Sequence, residues 1–343
     1  MRLVTYNVEW FANLFDEGGK LLEDDHWSGR RDVTRNQQIG ALGQVFQALE
    51  ADAVMVIEAP DTSRHRDGAA ALEGFATRFN LQIRKAVSGF DNQTQQEIIL
   101  LYDPDVLDAT HAPVGAMSDA NGGRDAPRFD SSFRLDLNIG ATEDLIQFSK
   151  PPLELSIDSA LGTFRMIGVH VKSKAPHGAR TPDEVIRLAI ANRRKQLAQC
   201  IWLRQRVTGH ISAGDPVLVL GDFNDGPGLD EYEKLFGQSG VEIVLGKDLS
   251  AEQQLFDPHA HQALQSRVSA QPTTARFYIR HEERYLSALL DYIMVCPVMR
   301  PKARRWRIWH PFDDPPCWQN DILCKAFLAA SDHFPVSVEL NLP

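Results

Sequence analysis

The chain has 343 residues, 43% of them hydrophobic and 24% charged, with a formal net charge of -10 at pH 7. Such length and apolar content supply one large core or two ordinary ones and exclude a disordered chain. The acidic balance excludes a protein that coats nucleic acid or anionic membrane through a general basic field, although a local basic cleft stays open.

Arg2 to Trp10 reads as a strand carrying Asn7 and Glu9 among apolar neighbours. It starts so close to Met1 that no signal peptide is visible, and no later apolar run approaches the ~20 residues of a membrane span. A cytoplasmic protein without membrane contact is the expectation. Thr34 and Gln37 have capping-box spacing, and Ile39, Leu42, Phe46 and Leu49 recur at helical intervals. Ala53 to Ile57 is the next buried strand and delivers Glu58 at its end; a second helix carries Leu72, Phe75 and Phe79. Closely spaced strands follow at Leu81 to Val87, Glu97 to Tyr102 and Val106 to Ala109, with Ser118 to Ser132 an irregular loop. Leu153 to Ile157 and Thr163 to Val171 form a hairpin around Leu161-Gly162, and its second strand carries His170 beside Lys172 and Lys174. Thr181, Pro182 and Glu184 open a long helix. It leads into the buried strand Val217 to Leu220, which Gly221 ends, so that Asp222, Asn224 and Asp225 stand where strand becomes loop. Leu229 to Phe236 predicts a short helix and Gly246 to Thr274 a long polar loop. Phe277 to Ile279, Leu289 to Val295 and Arg305 to Trp309 are strands, and Ser331-Asp332-His333 precedes a closing strand, Phe334 to Leu340. Cys200, Cys296, Cys317 and Cys324 lack CxxC spacing, so neither zinc nor a disulfide is implied. No internal repeat or linker divides the chain, and a single domain is preferred.

Asn7, Glu58, Glu97, His170, Asp222, Asn224, Asp291, Asp332 and His333 all interrupt strands or stand at their ends. So many polar groups are hard to satisfy separately, and a shared site is the simpler account. Carboxylates with an amide oxygen and no cysteine suit a hard cation, Mg²⁺ or Mn²⁺, better than zinc. Two histidines beside them add proton-transfer or charge-stabilising groups.

At these residues the chain resembles the endonuclease/exonuclease/phosphatase superfamily, the deoxyribonuclease-like fold. The blocks are TYNVEW around Asn7, VMVIEAP around Glu58, GVHVKSK around His170, LGDFNDGP around Asp222 and Asn224, LDYIMV around Asp291 and SDHFPV around His333. They follow the family's order over nearly the whole chain, and HVKSK is most similar to bacterial predicted nucleases of the superfamily. Ala59 departs from the Val of many members, and segments 18 to 33, 118 to 134 and 246 to 275 match none of the blocks. The resemblance implies one domain over 1 to 343, a four-layer α/β sandwich of two mixed β-sheets packed face to face with helices outside. It also implies metal-dependent hydrolysis of phosphoester bonds. On that resemblance Glu58 is the principal metal ligand, with Asn7 and Asp332 completing or orienting the sphere. Asp222 and Asn224 orient the attacking water and hold a phosphate oxygen, Asp222 being alternatively the base. Asp291 holds His333 in one tautomer, and Glu97 does the same for His170, which stabilises the transition state or protonates the leaving oxygen. Lys172 is a phosphate contact or a solvated lysine. Arg300, Lys302, Arg304, Arg305 and Arg307 with Trp306 form a basic, aromatic patch that reads as an exposed strand face or a nucleic-acid contact. The expected substrate is nucleic acid, the rival a small phosphorylated metabolite or lipid headgroup, and a non-catalytic binding module a third reading. Oligomeric state is left open.

Overall fold

The computed structural model describes all residues except 93, 120, 136–143, 177, 228–235, 266–269, 280–282 and 342–343. In chain order the first elements are β1 (Arg2–Asn7), α1 (Arg35–Leu49), β2 (Ala53–Ala59), α2 (Gly68–Arg78), β3 (Lys85–Ser88), β4 (Glu97–Tyr102) and β5 (Leu107–His111). Then come β6 (Phe133–Leu135), β7 (Asp144–Ile146), β8 (Leu153–Ser159), β9 (Phe164–His170), α3 (Pro182–Ala213), β10 (Val217–Asp222), α4 (Gly240–Leu245) and α5 (Pro258–Gln265). The last are β11 (Ala275–Ile279), β12 (Arg284–Ala288), β13 (Asp291–Val295), β14 (Ala303–Ile308), α6 (Pro315–Trp318), α7 (Asp321–Ala330) and β15 (Val336–Leu340).

Two mixed sheets result, one ordered β14-β15-β1-β2-β4-β3 and the other β13-β10-β9-β8-β5. Each holds one parallel pair, β1 with β2 and β9 with β10. Each such pair is joined through a helix, α1 or α3, because parallel neighbours need a crossover. Both helices begin on the caps read from sequence: Thr34 and Gln37 cap reciprocally, and Thr181 accepts from the Glu184 N–H ahead of Pro182.

Strand alternation sorts the core into layers. Val4, Tyr6, Val54 and Val56 face α1, α2 and α7, while Leu3, Met55, Ile57 and Leu100 face the second sheet. From that sheet Leu155, Met166, Leu218 and Ile293 face back, and α3 covers its outer side with Trp202, Leu203 and Val207. The order is helix, sheet, sheet, helix. The sheets approach closely at Gly168, where a Cβ would lie 2.5 Å from Met55 Sδ. Gly221, at φ +141°, leaves no room either, since a Cβ would meet the Val169 carbonyl oxygen at 2.0 Å.

Several boundaries differ from the sequence reading. β1 stops at Asn7, and Glu9 lies beyond it, before a single 3-10 turn at Phe11–Leu14. The segment expected to be a long loop contains α5, and β6, β7, β12, α6 and α7 were not anticipated. For α7 the signal was present: Asn320 caps it, and Leu323, Ala326, Phe327 and Ala330 keep helical spacing. The helix expected at Leu229 to Phe236 lies almost wholly outside the described residues.

Candidate active site

Register brings the polar residues together. Asp222 pairs with His170 across the parallel β9–β10 ladder and with Asp291 across the antiparallel β10–β13 ladder, so three neighbouring strands place one polar rung at the end of the inter-sheet core. By alternation this rung faces inward, and Asn7, at the end of β1, meets it from the other sheet. Asn7 Nδ2 donates to Asp222 Oδ2 at 2.9 Å, and Asn7 Oδ1 is buried without a partner. Asp222 also accepts from the Asn224 backbone N–H at 2.7 Å and from Asn224 Nδ2 at 3.2 Å. Asn224 holds this position in a left-handed conformation, φ +48°.

Glu58 reaches the same cleft through a β-bulge. Register shifts between Ile57 and Ala59 against β4, and Glu58 takes φ +63°. The extra residue turns toward the cleft a side chain that strict alternation would send to the helix layer. Its Oε1 lies 3.9 Å from His170 Nε2, and its Oε2 accepts from Gln96 Nε2 at 2.5 Å. Burial raises the Glu58 carboxyl, against the lowering field of Lys150.

His333 arrives on the segment between α7 and β15. Ser331 ties that segment down: its hydroxyl donates to the Asn7 carbonyl at 2.8 Å and accepts the N–H groups of Glu9 and His333. His333 Nδ1 lies 2.8 Å from Asp291 Oδ2, so the ring donates there and is fixed in orientation. Burial pulls its pKa down, but Asp291, Asp222 and Asp332 outweigh this and hold it well above the ordinary value. Burial, with the charge of Asp291, pushes Asp222 up to about 7. His170 goes the other way, driven well below its usual value by burial, then by Lys150 and His333. The two histidines on either side of Asp222 are thus pushed in opposite directions, with His170 Nε2 3.6 Å from Asp222 Oδ2.

The cleft encloses about 640 Å³ and is lined by Asn7, Glu58, His170, Lys172, Asp222 and His333, among others. Asp291 stands behind His333. Asp332 lines an adjoining cavity instead, beside Glu9 and Arg276. Glu97 is a correction: its carboxylate accepts the Thr62 N–H at 3.1 Å and makes no hydrogen bond to His170. The reason is alternation along β4: Ile98 and Leu100 face the second sheet while Ile99 and Leu101 face the helices, so Glu97 falls on the helix side and Gln96 on the cleft side. The sequence reading missed Lys150, whose Nζ lies 3.2 Å from His170 Nδ1 and also donates to Gln96 Oε1. Burial lowers the Lys150 pKa. A lysine between a serine and two prolines carries no periodic signal, and only the fold sets it opposite Glu58. The Arg300 to Arg307 patch is remote, because β14 pairs Arg304 with Glu339, which pairs in turn with Arg2, at the far end of the strand that finishes in Asn7. There Arg305 faces Glu339 at 3.3 Å, while Arg307, further along the strand, reaches Asp314 at 2.7 Å.

The donors present suit a hard cation. Asn7 Oδ1 and Asp291 Oδ1 are buried oxygens without partners, and Glu58 adds a carboxylate at the cleft. Asp222, Asp291 and His333 also bring ligand atoms within 4.8 Å of one another, a possible acidic metal site.

A two-sheet sandwich with a carboxylate, amide and histidine rung at one end of its inter-sheet core defines the α/β class to which deoxyribonuclease-like proteins belong. The family model for the endonuclease/exonuclease/phosphatase family matches residues 4–333, and the chain belongs to that family. Among solved structures it is similar to a 3'-5' exonuclease, NExo, from Neisseria meningitidis, at 15% identity and TM-score 0.50, with 100% of both chains covered. It is also similar to a humanized D. rerio TDP2, at 11% identity and TM-score 0.50, over 100% of this chain and 99% of that one. No curated protein matches the sequence.

Proposed function

We propose that the cleft hydrolyses phosphoester bonds with a divalent cation, Mg²⁺ or Mn²⁺, and that its substrate is nucleic acid. One observation carries the reading: the hydrogen bond from Asn7 to Asp222 across the two sheets, with the Asp291–His333 pair beside it. Glu58 and Asn7 Oδ1 would hold the cation, with Asp332 orienting it from the neighbouring cavity. When bound, the cation supplies positive charge to the phosphoryl oxygens. Asp222, fixed by Asn7 and Asn224, orients the attacking water and takes its proton. His333, kept protonated by Asp291, donates from its free ring nitrogen to a nonbridging phosphate oxygen as charge builds there. Lys150 and Lys172 add positive charge on the opposite wall, and His170, 3.2 Å from Lys150 through Nδ1, positions that ammonium near the leaving oxygen. The nuclease likeness of the HVKSK block favours a polynucleotide over a metabolite.

A panel of single- and double-stranded DNA, RNA, a bis-nitrophenyl diester and phosphomonoesters, with and without chelator, tests this. Hydrolysis should vanish with chelator and return with Mg²⁺ or Mn²⁺. Asp222→Asn and His333→Ala should each lower turnover at least ~10²-fold with the fold retained by circular dichroism. Brisk cleavage of small monoesters alone would overturn the polynucleotide assignment. Full activity of either folded variant would remove that residue from the mechanism.

A further inference from the structure

Beside the catalytic cleft lies a second cavity of about 350 Å³, and Phe277 lines both. Its outer wall is the β11–β12 ribbon, where Tyr278 and Tyr285 are cross-strand partners with ring centroids 5.2 Å apart. Guanidinium groups cover these rings, Arg31 at 3.5 Å over Tyr278 and Arg276 at 3.7 Å over Tyr285. Trp27 forms another part of the wall and is 67% exposed, while Tyr285 is 47% exposed. Aromatic rings of this size are ordinarily buried, so their display around one cavity marks a surface that meets a planar, apolar partner.

The ribbon is registered to the catalytic histidine. Ala275 bridges His333, the Arg276 N–H donates to the Asp332 carbonyl at 2.7 Å, and the Phe277 ring centroid is 6.2 Å from that of His333. A group seated in the cavity is therefore one ring away from the reacting phosphate. Ionic attraction is not the main force here, because Glu9, paired with Arg30, and Asp332 offset most of the charge of Arg30, Arg31 and Arg276 in the same cavity. Stacking on aromatic and guanidinium planes needs no such field, is tolerant of sequence, and requires an unpaired base.

We propose that this cavity is a nucleobase-stacking subsite, which seats the unpaired base next to the scissile phosphate and makes single-stranded or frayed polynucleotide the preferred substrate. The proposal rests on the polynucleotide reading of the cleft. It assigns a role to Trp27 and Arg31, from a loop that matches no family block, and to the ribbon that follows another.

The test measures binding with chelator present, by anisotropy of labelled short single strands of DNA, of RNA, and of DNA with abasic positions. Trp27→Ala combined with Tyr285→Ala should weaken binding of at least one base-bearing strand by about fivefold or more, leaving the abasic strand and hydrolysis of the bis-nitrophenyl diester unchanged. Tyr285→Phe, which keeps the ring, should bind as the wild type does. Equal losses on abasic and base-bearing strands, or no loss on either base-bearing strand, would overturn the proposal. Because binding is read without turnover, either result leaves the hydrolysis panel to stand or fall separately.

Discussion

Glu97 and Asp222 are both buried carboxyls pushed up to about 7, yet their surroundings give them different consequences. Asp222 sits among donors at the centre of the cleft. Glu97 faces the loop after β2, where burial is the largest cause of its shift and the Thr62 N–H only partly offsets it. Its folded pKa lies above the ordinary 4.5, so the folded state holds a proton that the unfolded state releases. The stability it contributes is thus complete below 4.5 and is lost as pH rises to about 7. Glu97→Gln should flatten that part of the stability profile and leave the variant at least as stable as wild type at pH 8. Thermal melts of both proteins across the range would check it, and an unchanged slope would reject it. Turnover should be unaffected, whereas a Glu97 that orients His170 would make the variant slow.

Among the elements, α7 and the three residues after it matter most to the site. The helix packs against α1, and Ser331 then links β1, Glu9 and His333 through one hydroxyl. Ser331→Ala strands the groups that hydroxyl satisfies, at a cost of about 1–3 kcal/mol in denaturant unfolding. Turnover should fall more than KM rises, because His333 loses its anchor while the walls of the cleft stay. A variant with normal stability and normal turnover would show the hydroxyl to be dispensable. The bulge at Glu58 is the other decisive element. It exchanges one regular ladder position for a carboxylate aimed at the opposite sheet.

Across the whole molecule, charge is distributed so that cations near the cleft are few. Lys150 and Lys172 line it, while the arginines of β14 stand on the edge of the first sheet, Arg305 facing Glu339 and Arg307 facing Asp314. Each phosphate neutralised on a single strand adds about 0.7 to the magnitude of the salt slope, so the two lysines, with or without Arg31 and Arg276 of the adjoining cavity, give a slope between about -1.4 and about -2.8. Single-strand affinity across a salt series should show that shallow dependence. Arg304→Glu with Arg305→Glu should leave both affinity and hydrolysis at wild-type levels. A steep slope, or a marked loss in the double variant, would place the polynucleotide on β14 instead.

The sequence by itself determined the strands of the two large sheets, the capped helices α1 and α3 and the polar residues at strand ends, because periodicity, caps and turn residues are local signals. His170, Asp222 and His333 were legible for that reason: each interrupts an apolar pattern that must otherwise be buried. Which of them meet was decided by register and by the packing of one sheet on the other, which bring Asn7 to Asp222 over 215 positions of chain. Lys150 entered the cleft through a loop with no periodic signature, whereas alternation along β4 puts Gln96 at the cleft and Glu97 away from it once β4 is paired with β2. The aromatic ribbon was invisible for the same reason, since Tyr278 and Tyr285 become neighbours only when β11 and β12 pair and Ala275 bridges His333. Local chemistry fixes which residues need partners; long-range pairing energy, absent from any single stretch of chain, selects the partners.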